Sequence, residues 1–419
     1  MEIKVPYGQN WVTIDCPEEN LAGIIFPNEV PLREEREILE EALANPIDAE
    51  RMAHFLGDGK EVLFVVNDGT RPTPTARILD HLAGDIGERP VQFLVATGSH
   101  RPPTAAEFKQ IFGPWFTRFQ KAIFAHDCRA ESEMAPLGTT SRETPLALNR
   151  RVVEARKIVA LSSVEPHYFA GFTGGRKSFF PGAAAYQTME HNHRLALQQG
   201  AAPLALRGNP VHEDLAEAMG SLDGKEIHSL QVVLDRSHRI CAAFDGSLEG
   251  TFAAATKKAE EVFSAEIKER ADVVVTVAPF PMDIDLYQAQ KALEHGRLAL
   301  KEGGIIILVS RCPMGVGNDG FYQLLSRAMD PAEVCPLIED SFHLGDHKAA
   351  KIAELAMGAQ IWGVTDLDPS ILGHCFMKPY ADLQEALRAA IEEKGPHAQI
   401  LFLMNGSMIV PKTTGGKCS

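Results

Sequence analysis

Four histidines, one lysine in a glycine turn and one arginine between prolines are the side chains of this 419-residue chain best suited to chemistry. His100, His167, His191 and His193 carry imidazoles, which near neutral pH move protons or bind a metal through a neutral ring nitrogen. One histidine alone is more often structural. Three of these four lie at or just after expected strand ends or the glycine turn, and that convergence gives the set its weight, although no His-x-x-x-His or His-Glu-x-x-His spacing marks a standard zinc site. Lys177 lies in Gly174-Gly175-Arg176-Lys177-Ser178, followed by Phe179-Phe180-Pro181-Gly182. Apolar surroundings favour a neutral amine, a nucleophile toward a carbonyl-bearing substrate or cofactor. The glycines would let backbone N–H groups approach a phosphate. A tight turn explains them equally well, and Arg176 fills the place where a Walker loop needs glycine. Arg71 sits in Thr70-Arg71-Pro72-Thr73-Pro74, where prolines fix the backbone and the guanidinium can offer a fork to a carboxylate or phosphate, or form a surface salt bridge. Asp68 could orient Arg71, bind a sugar hydroxyl or cap a helix expected from Thr75.

These residues need a frame. Apolar, β-branched runs at 62–66, 91–95, 158–161, 273–277 and 305–309 alternate with helical patterns at 32–44, 75–82, 286–300 and 381–393. That alternation predicts an α/β fold, and the unbroken apolarity predicts parallel strands covered on both faces. Ligands of such sheets bind outside the carboxyl ends of the strands, where the polar stretches 67–74, 96–102, 164–178 and 278–283 fall. A charged helix expected over 254–270 ends where a new strand-helix-strand series begins. The expectation is two α/β domains with mainly parallel sheets, 1–270 and 271–419, and an active-site cleft between them. The strand-like stretch 400–404 fits either domain.

Composition bounds the function. Lys plus Arg number 41 against 56 Asp plus Glu, a net charge of −15, which opposes non-specific binding to nucleic acid or anionic lipid. No apolar run approaches the roughly 20 residues that span a bilayer, and residues 1–5 carry no signal-peptide core, so a cytoplasmic protein is expected. The seven cysteines are scattered without a Cys-x-x-Cys pair, which predicts idle thiols, and Cys418 is too near the end for a prenylation signal.

Taken together, Asp68-Gly69-Thr70-Arg71-Pro72, Gly98-Ser99-His100-Arg101-Pro102, the stretch from Glu165-Pro166-His167 to Gly174-Gly175-Arg176-Lys177, then His193 and Tyr287-Gln288-Ala289-Gln290-Lys291 resemble the lactate racemase family. The resemblance implies a nickel-pincer nucleotide, a pyridinium mononucleotide with thioamide and thiocarboxylate arms. It would be attached through its thioamide to Lys177 and bound by Asp68, Thr70, Gly174 and Gly175. His193 would be the nickel ligand, with His191 its close competitor. His100 and His167 would be the acid/base pair on the two faces of a 2-hydroxy acid. Arg71, Gln288 and Lys291 would hold the carboxylate and developing oxyanion, and Tyr287 would flank them. By the same resemblance, C2 is inverted through reversible hydride transfer and a transient 2-oxo acid, and cofactor-maturation enzymes are the implied partners. Lactate-acting relatives place a tryptophan in the stretch matching Asp346-His347-Lys348, which this chain lacks. A larger or more polar hydroxy acid, malate-like or a sugar acid, is therefore the implied substrate range, with lactate left open. Two other readings compete: a metal-dependent hydrolase with His100, His167 and His193 as ligands, and a non-catalytic sensor of an anionic metabolite.

Overall fold

Runs of Val, Ile, Leu and Phe form two six-stranded sheets in the computed structural model, which describes residues 1–57, 59–339 and 342–414. The sheets belong to two units, Glu29–Val262 and a second composed of Met1–Asn28 with Phe263–Ser419.

In the Glu29–Val262 unit the strand order is Ile240–Ser247, Glu226–Leu234, Lys157–Ser163, Val62–Asn67, Val91–Ala96, Ile123–Ala125. Neighbours are parallel except for the antiparallel pair at the Ile240–Ser247 edge. Successive side chains of a strand point to opposite faces. Phe64 and Val66 accordingly pack with Ile78, Leu79 and Leu82 of helix Thr75–Ile86, while Leu63 and Val65 pack with Phe179, Phe180 and Met189. Two covered faces explain why these strands are apolar throughout. Phe179 and Phe180, both fully buried, lie two and three residues after Lys177, so burial of about 1.5–3 kcal/mol per ring anchors the turn that carries the lysine.

The chain runs outward from Val62–Asn67 to Ile123–Ala125 and then returns to Lys157–Ser163 on the other side of its starting strand. The strand order therefore reverses between Val62–Asn67 and Lys157–Ser163, where α/β sheets open a ligand crevice at the carboxyl ends. The loops there carry Asp68, Arg71, Glu165 and His167.

In the second unit the order is Met377–Tyr380, Gln360–Val364, Leu300–Val309, Ala271–Val277, Ile400–Leu403, Leu21–Ile25, parallel throughout. The reversal falls between Ala271–Val277 and Ile400–Leu403, and the loop after the former leads into helix Leu286–Gly296.

The structure departs from the sequence expectation in three places. Residues 1–28, expected with the first domain, lie in the second unit, because Leu21–Ile25 pairs with Ile400–Leu403 and the hairpin Glu2–Tyr7/Asn10–Asp15 adds Ile3, Val5 and Ile14 to the core of Val273 and Phe402. The helix expected over 254–270 is Leu248–Phe263; the next residues form strand Ser264–Ile267, paired with Val410–Thr413. Ala265 and Ile267 are buried with Glu266 exposed between them, a period of two that favours the strand. The helix expected over 286–300 ends at Gly296, and Leu300 opens a strand.

Among the described residues no helix is long and apolar enough to cross a membrane. Burial pushes the Cys312 and Cys375 thiols up to about 12, which keeps them protonated and inert. Cys418 lies outside the described residues.

Candidate active site

The loop after Val62–Asn67 is tied to the end of Lys157–Ser163 by Thr73, whose Oγ1 lies 2.8 Å from Ser163 Oγ and accepts from Ser163 N–H at 3.0 Å. Asp68, 7% exposed, works toward the neighbouring loop. Its Oδ2 faces His100 Nδ1 at 2.8 Å, and its Oδ1 accepts from Thr70 Oγ1 at 2.7 Å. Burial alone would raise the Asp68 carboxyl, but hydrogen bonds from His100 and Thr70 and the nearby His100 and Arg71 charges hold it below its usual value. An ionised Asp68 requires a proton on His100 Nδ1, so the neutral imidazole presents the Nε2 lone pair. Asp68 does not cap helix Thr75–Ile86, whose N-cap is Pro74. The half-buried Arg71 guanidinium makes no ion pair or hydrogen bond among the described residues, unlike the surface salt bridge first weighed for it.

His167 carries the opposite arrangement. It lies in the two-residue strand Pro166–His167, paired with Gly171–Phe172, and its Nδ1 accepts from the Ala170 N–H at 3.3 Å. The proton of its neutral ring then belongs on Nε2. The two neutral imidazoles are thus held in opposite tautomers, each through its Nδ1.

Phe169, 2% exposed, is the hub for the remaining groups. The His167 ring meets it edge-on at 4.5 Å, the His193 ring at 5.2 Å, and Lys177 Nζ lies 5.7 Å from its centre. Three of the sequence-selected residues therefore surround one phenyl ring. The backbone joins the His100 loop to the same region through Gly98 N–H, which donates to Gly182 O at 2.9 Å. His191 is exposed, with Nδ1 2.9 Å from the Gln187 carbonyl of its own helix, whereas His193 is half-buried against Phe169.

The glycines before Lys177 serve the backbone. Gly174 has φ 75°, and a Cβ there would lie 2.6 Å from Val164 Cγ2 and 2.8 Å from Ser163 O. Gly175 has φ 54°, would meet Phe252, and donates its N–H to Gln231 Oε1 at 3.0 Å. On the other side of Lys177, Arg176 donates to His212 Nε2 at 2.7 Å; burial, with the Arg176 and Lys177 charges, pushes His212 down to about 4.

In the second unit Asp285 caps helix Leu286–Gly296 by accepting from Gln288 N–H at 2.7 Å. Gln288 and Lys291 share a face, and Lys291 Nζ donates to Gln288 Oε1 at 2.7 Å. Glu294, three residues beyond Lys291, is buried with Gln290 Nε2 at 3.2 Å and Arg297 at 3.7 Å. Tyr287 donates its N–H to Val316 O at 3.0 Å and packs its ring against Phe321 at 5.6 Å.

Sequence reasoning missed the Asp68–His100 pair and the Phe169 hub. The pair joins residues 32 apart, brought together only by adjacent strands, and no local spacing signals it. The run His167-Tyr168-Phe169 was a visible signal for the hub. Among the described residues no group of three His, Cys, Asp or Glu side chains is arranged to hold a metal, so the cage required by the hydrolase reading is not formed by His100, His167 and His193.

Residues 7–204 match the family model of the lactate racemase N-terminal domain, and residues 266–410 that of the C-terminal domain. The lactate racemase of Thermoanaerobacterium thermosaccharolyticum is 32% identical over 97% of this chain and 98% of its own; that of Lactiplantibacillus plantarum is 28% identical over 98% and 99%. The solved lactate racemase apoprotein from T. thermosaccharolyticum superposes with a TM-score of 0.91 at 30% identity, covering 98% of this chain and 100% of that one. A Thermotoga maritima protein shares the fold, with a TM-score of 0.70 at 18% identity over 91% of this chain and 98% of that one. Matched across both of its domains by sequence and fold, the chain belongs to the lactate racemase family.

Proposed function

We propose that the protein is a racemase or epimerase that inverts C2 of a 2-hydroxy acid, using a nickel-pincer nucleotide tethered to Lys177. The observation that carries this reading is the gathering of His167, His193 and Lys177 around Phe169. An amine, a metal-binding imidazole and a proton-transfer imidazole then lie within a few ångströms of one ring.

The residues fit such a group. A metal held by one imidazole needs its other ligands from a bound molecule, as a pincer provides. Glu165 Oε1 and Ser178 Oγ are buried polar atoms with no hydrogen-bond partner among the described residues, the second beside Lys177, and they suit a ligand rich in hydroxyl and phosphate oxygens. In this reading Lys177 holds the group covalently, His193 ligates nickel, Asp68 and Thr70 line it, and Gly174 and Gly175 shape the turn. When bound, the group supplies a reversible acceptor for the C2 hydride.

The side chains perform the rest. Arg71, Gln288 and Lys291 bind the substrate carboxylate and the oxygen on which charge develops, and Tyr287 flanks them. His100, kept as an Nε2 base by Asp68, takes the hydroxyl proton as the C2–H bond breaks. His167 returns a proton to that oxygen from its imidazolium form when C2 is rebuilt from its other face, and is left neutral. The roles exchange in the reverse direction, as racemisation requires. The buried His167 pocket, with 9% exposure, keeps water from the intermediate oxo acid.

The test is direct. Protein matured with the cofactor-synthesis enzymes is expected to carry an intact-mass adduct on Lys177 and to scramble at least one of lactate, malate, phenyllactate or gluconate supplied as single enantiomers. Matured protein without the adduct, or adduct-bearing protein that leaves every enantiomer intact, would reject the proposal.

A further inference from the structure

Helix Pro210–Met219 carries no residue given a chemical role above, yet side chains at its start and in its first turns are bonded to the segments that hold Phe169, Lys177 and His193. Its N-cap, Asn209, is fully buried and serves two partners. Oδ1 accepts from the Val211 and His212 N–H groups, while Nδ2 donates to the carbonyl oxygens of Phe169 and Ala205, both at 2.9 Å. The cap therefore fixes the start of the helix against the residue around which His167, His193 and Lys177 gather. Val211 is buried in one cluster with Tyr168 and Phe169, and Leu215 and Ala218 pack with Phe179 and Phe180.

His212 and Asp214 stand two positions apart, about 200° around a helix of 3.6 residues per turn, so they leave it on nearly opposite sides. His212 accepts at Nε2 from Arg176, the residue before Lys177, at 2.7 Å. Burial and the Arg176 and Lys177 charges push the imidazole down to about 4, which keeps Nε2 an acceptor at neutral pH. Asp214, fully buried, accepts at Oδ1 from Thr140 Oγ1 at 2.6 Å, and at Oδ2 from Thr144 Oγ1 at 2.9 Å and Asn192 Nδ2 at 2.8 Å. Asn192 is the residue before His193, and its Nδ2 also donates to the Val211 carbonyl at 3.2 Å. A buried carboxylate is costly unless its oxygens are bonded; these donors compensate it and lock helix Tyr186–Arg194 to helix Pro210–Met219. A tether and a metal ligand that must meet one bound molecule need a fixed separation, and side chains bonded to their neighbours supply it.

We propose that Asn209, His212 and Asp214 are positioning residues, and that helix Pro210–Met219 is the element that fixes the separation of Lys177 and His193. This rests on the reading of those two residues as tether and nickel ligand.

The test separates the two sides of the helix. Protein is matured with the cofactor-synthesis enzymes, the initial rate of adduct formation is followed by intact mass, and nickel per adduct is measured before and after a fixed challenge with a chelator. His212→Ala should slow adduct formation at least about fivefold and leave retained nickel per adduct within about twofold of the natural protein. Asp214→Ala should do the reverse, losing at least about fivefold in retained nickel per adduct, with adduct formation within about twofold. Partners bonded directly to a metal ligand are worth roughly 10- to 100-fold in affinity, and the smaller figure allows for an effect relayed through Asn192. His212→Gln, whose Oε1 still accepts from Arg176, should restore adduct formation. Asn192→Ala cuts the Asp214 link from the other helix and should reproduce Asp214→Ala; where Asp214→Ala does not fold, Asn192→Ala decides. Equal losses of adduct and nickel in both variants, as general destabilisation would give, overturn the proposal, and so do losses in neither. A His212→Gln no better than His212→Ala overturns it as well. In each of those cases natural protein that forms the adduct and holds nickel leaves the tether reading standing. Natural protein that forms no adduct sinks that reading, and the proposal with it.

Discussion

Asp68→Asn is the most informative single change, because it keeps the shape of the His100 site and removes only its charge. In the natural protein the buried carboxylate accepts from His100 Nδ1 at 2.8 Å and is held below its usual value, so it is ionised throughout the neutral range. An asparagine can face His100 with either its carbonyl oxygen or its NH₂. In the second case the imidazole proton moves to Nε2 and the base is lost. Loss of a charge-assisted hydrogen bond of about 1.5–3 kcal/mol corresponds to roughly 10- to 150-fold in kcat/KM. His100 is 37% exposed, which places the purely electrostatic share toward the lower end, while a flipped tautomer adds to it. The assay is initial C2 scrambling of a single enantiomer, normalised to adduct by intact mass, from pH 5 to 9. Adduct yield should match the natural protein and kcat/KM should fall by at least tenfold. Activity within threefold of the natural protein at every pH, with full adduct, refutes the assignment of Asp68 as the residue that positions His100.

Other outcomes follow from the same geometry. Lys177→Ala should abolish the adduct, whereas His167→Ala should retain it and lose turnover; turnover without an adduct would contradict the tether. His193→Ala should lower nickel content in matured protein and His191→Ala should not, because His191 is exposed and turned to Gln187; equal losses would contradict the choice. Gly174→Ala should destabilise by at least about 1–3 kcal/mol through overpacking and strain at φ 75°, read as a lower urea midpoint. His295, buried and near Lys291, is pushed down to about 4 and so stays neutral in the fold. The unfolded chain binds its proton below about pH 6.5, so stability should fall as pH drops from 6.5 toward 4, by up to roughly 3 kcal/mol. His295→Gln, which retains an N–H for the Gly406 carbonyl 3.0 Å from His295 Nδ1, should flatten that slope in urea titrations; an unchanged slope would contradict it.

Much of this was legible in the sequence because it is local. Fully covered parallel strands must be apolar along their whole length, so 62–66, 273–277 and 305–309 announce themselves, and the polar stretches after them fall at the ends where ligands bind. What the sequence concealed depends on distant partners. Asp68 reads as a helix cap until strand order brings His100 beside it. Ser264–Ile267 reads as the continuation of a charged helix until Val410–Thr413 offers it a neighbour. Residues 21–25 reveal nothing of the sheet they join, because their partner is Ile400–Leu403.

That last pairing sets an order of assembly during translation. The partner of Leu21–Ile25 is made about 375 residues later, on the order of twenty seconds to more than a minute at ordinary elongation rates. Glu29–Val262, an uninterrupted stretch containing every strand of its own sheet, can finish folding in that interval. The amino-terminal strand must wait on the ribosome, its hydrogen-bonding edge exposed, until the last strand of its sheet emerges.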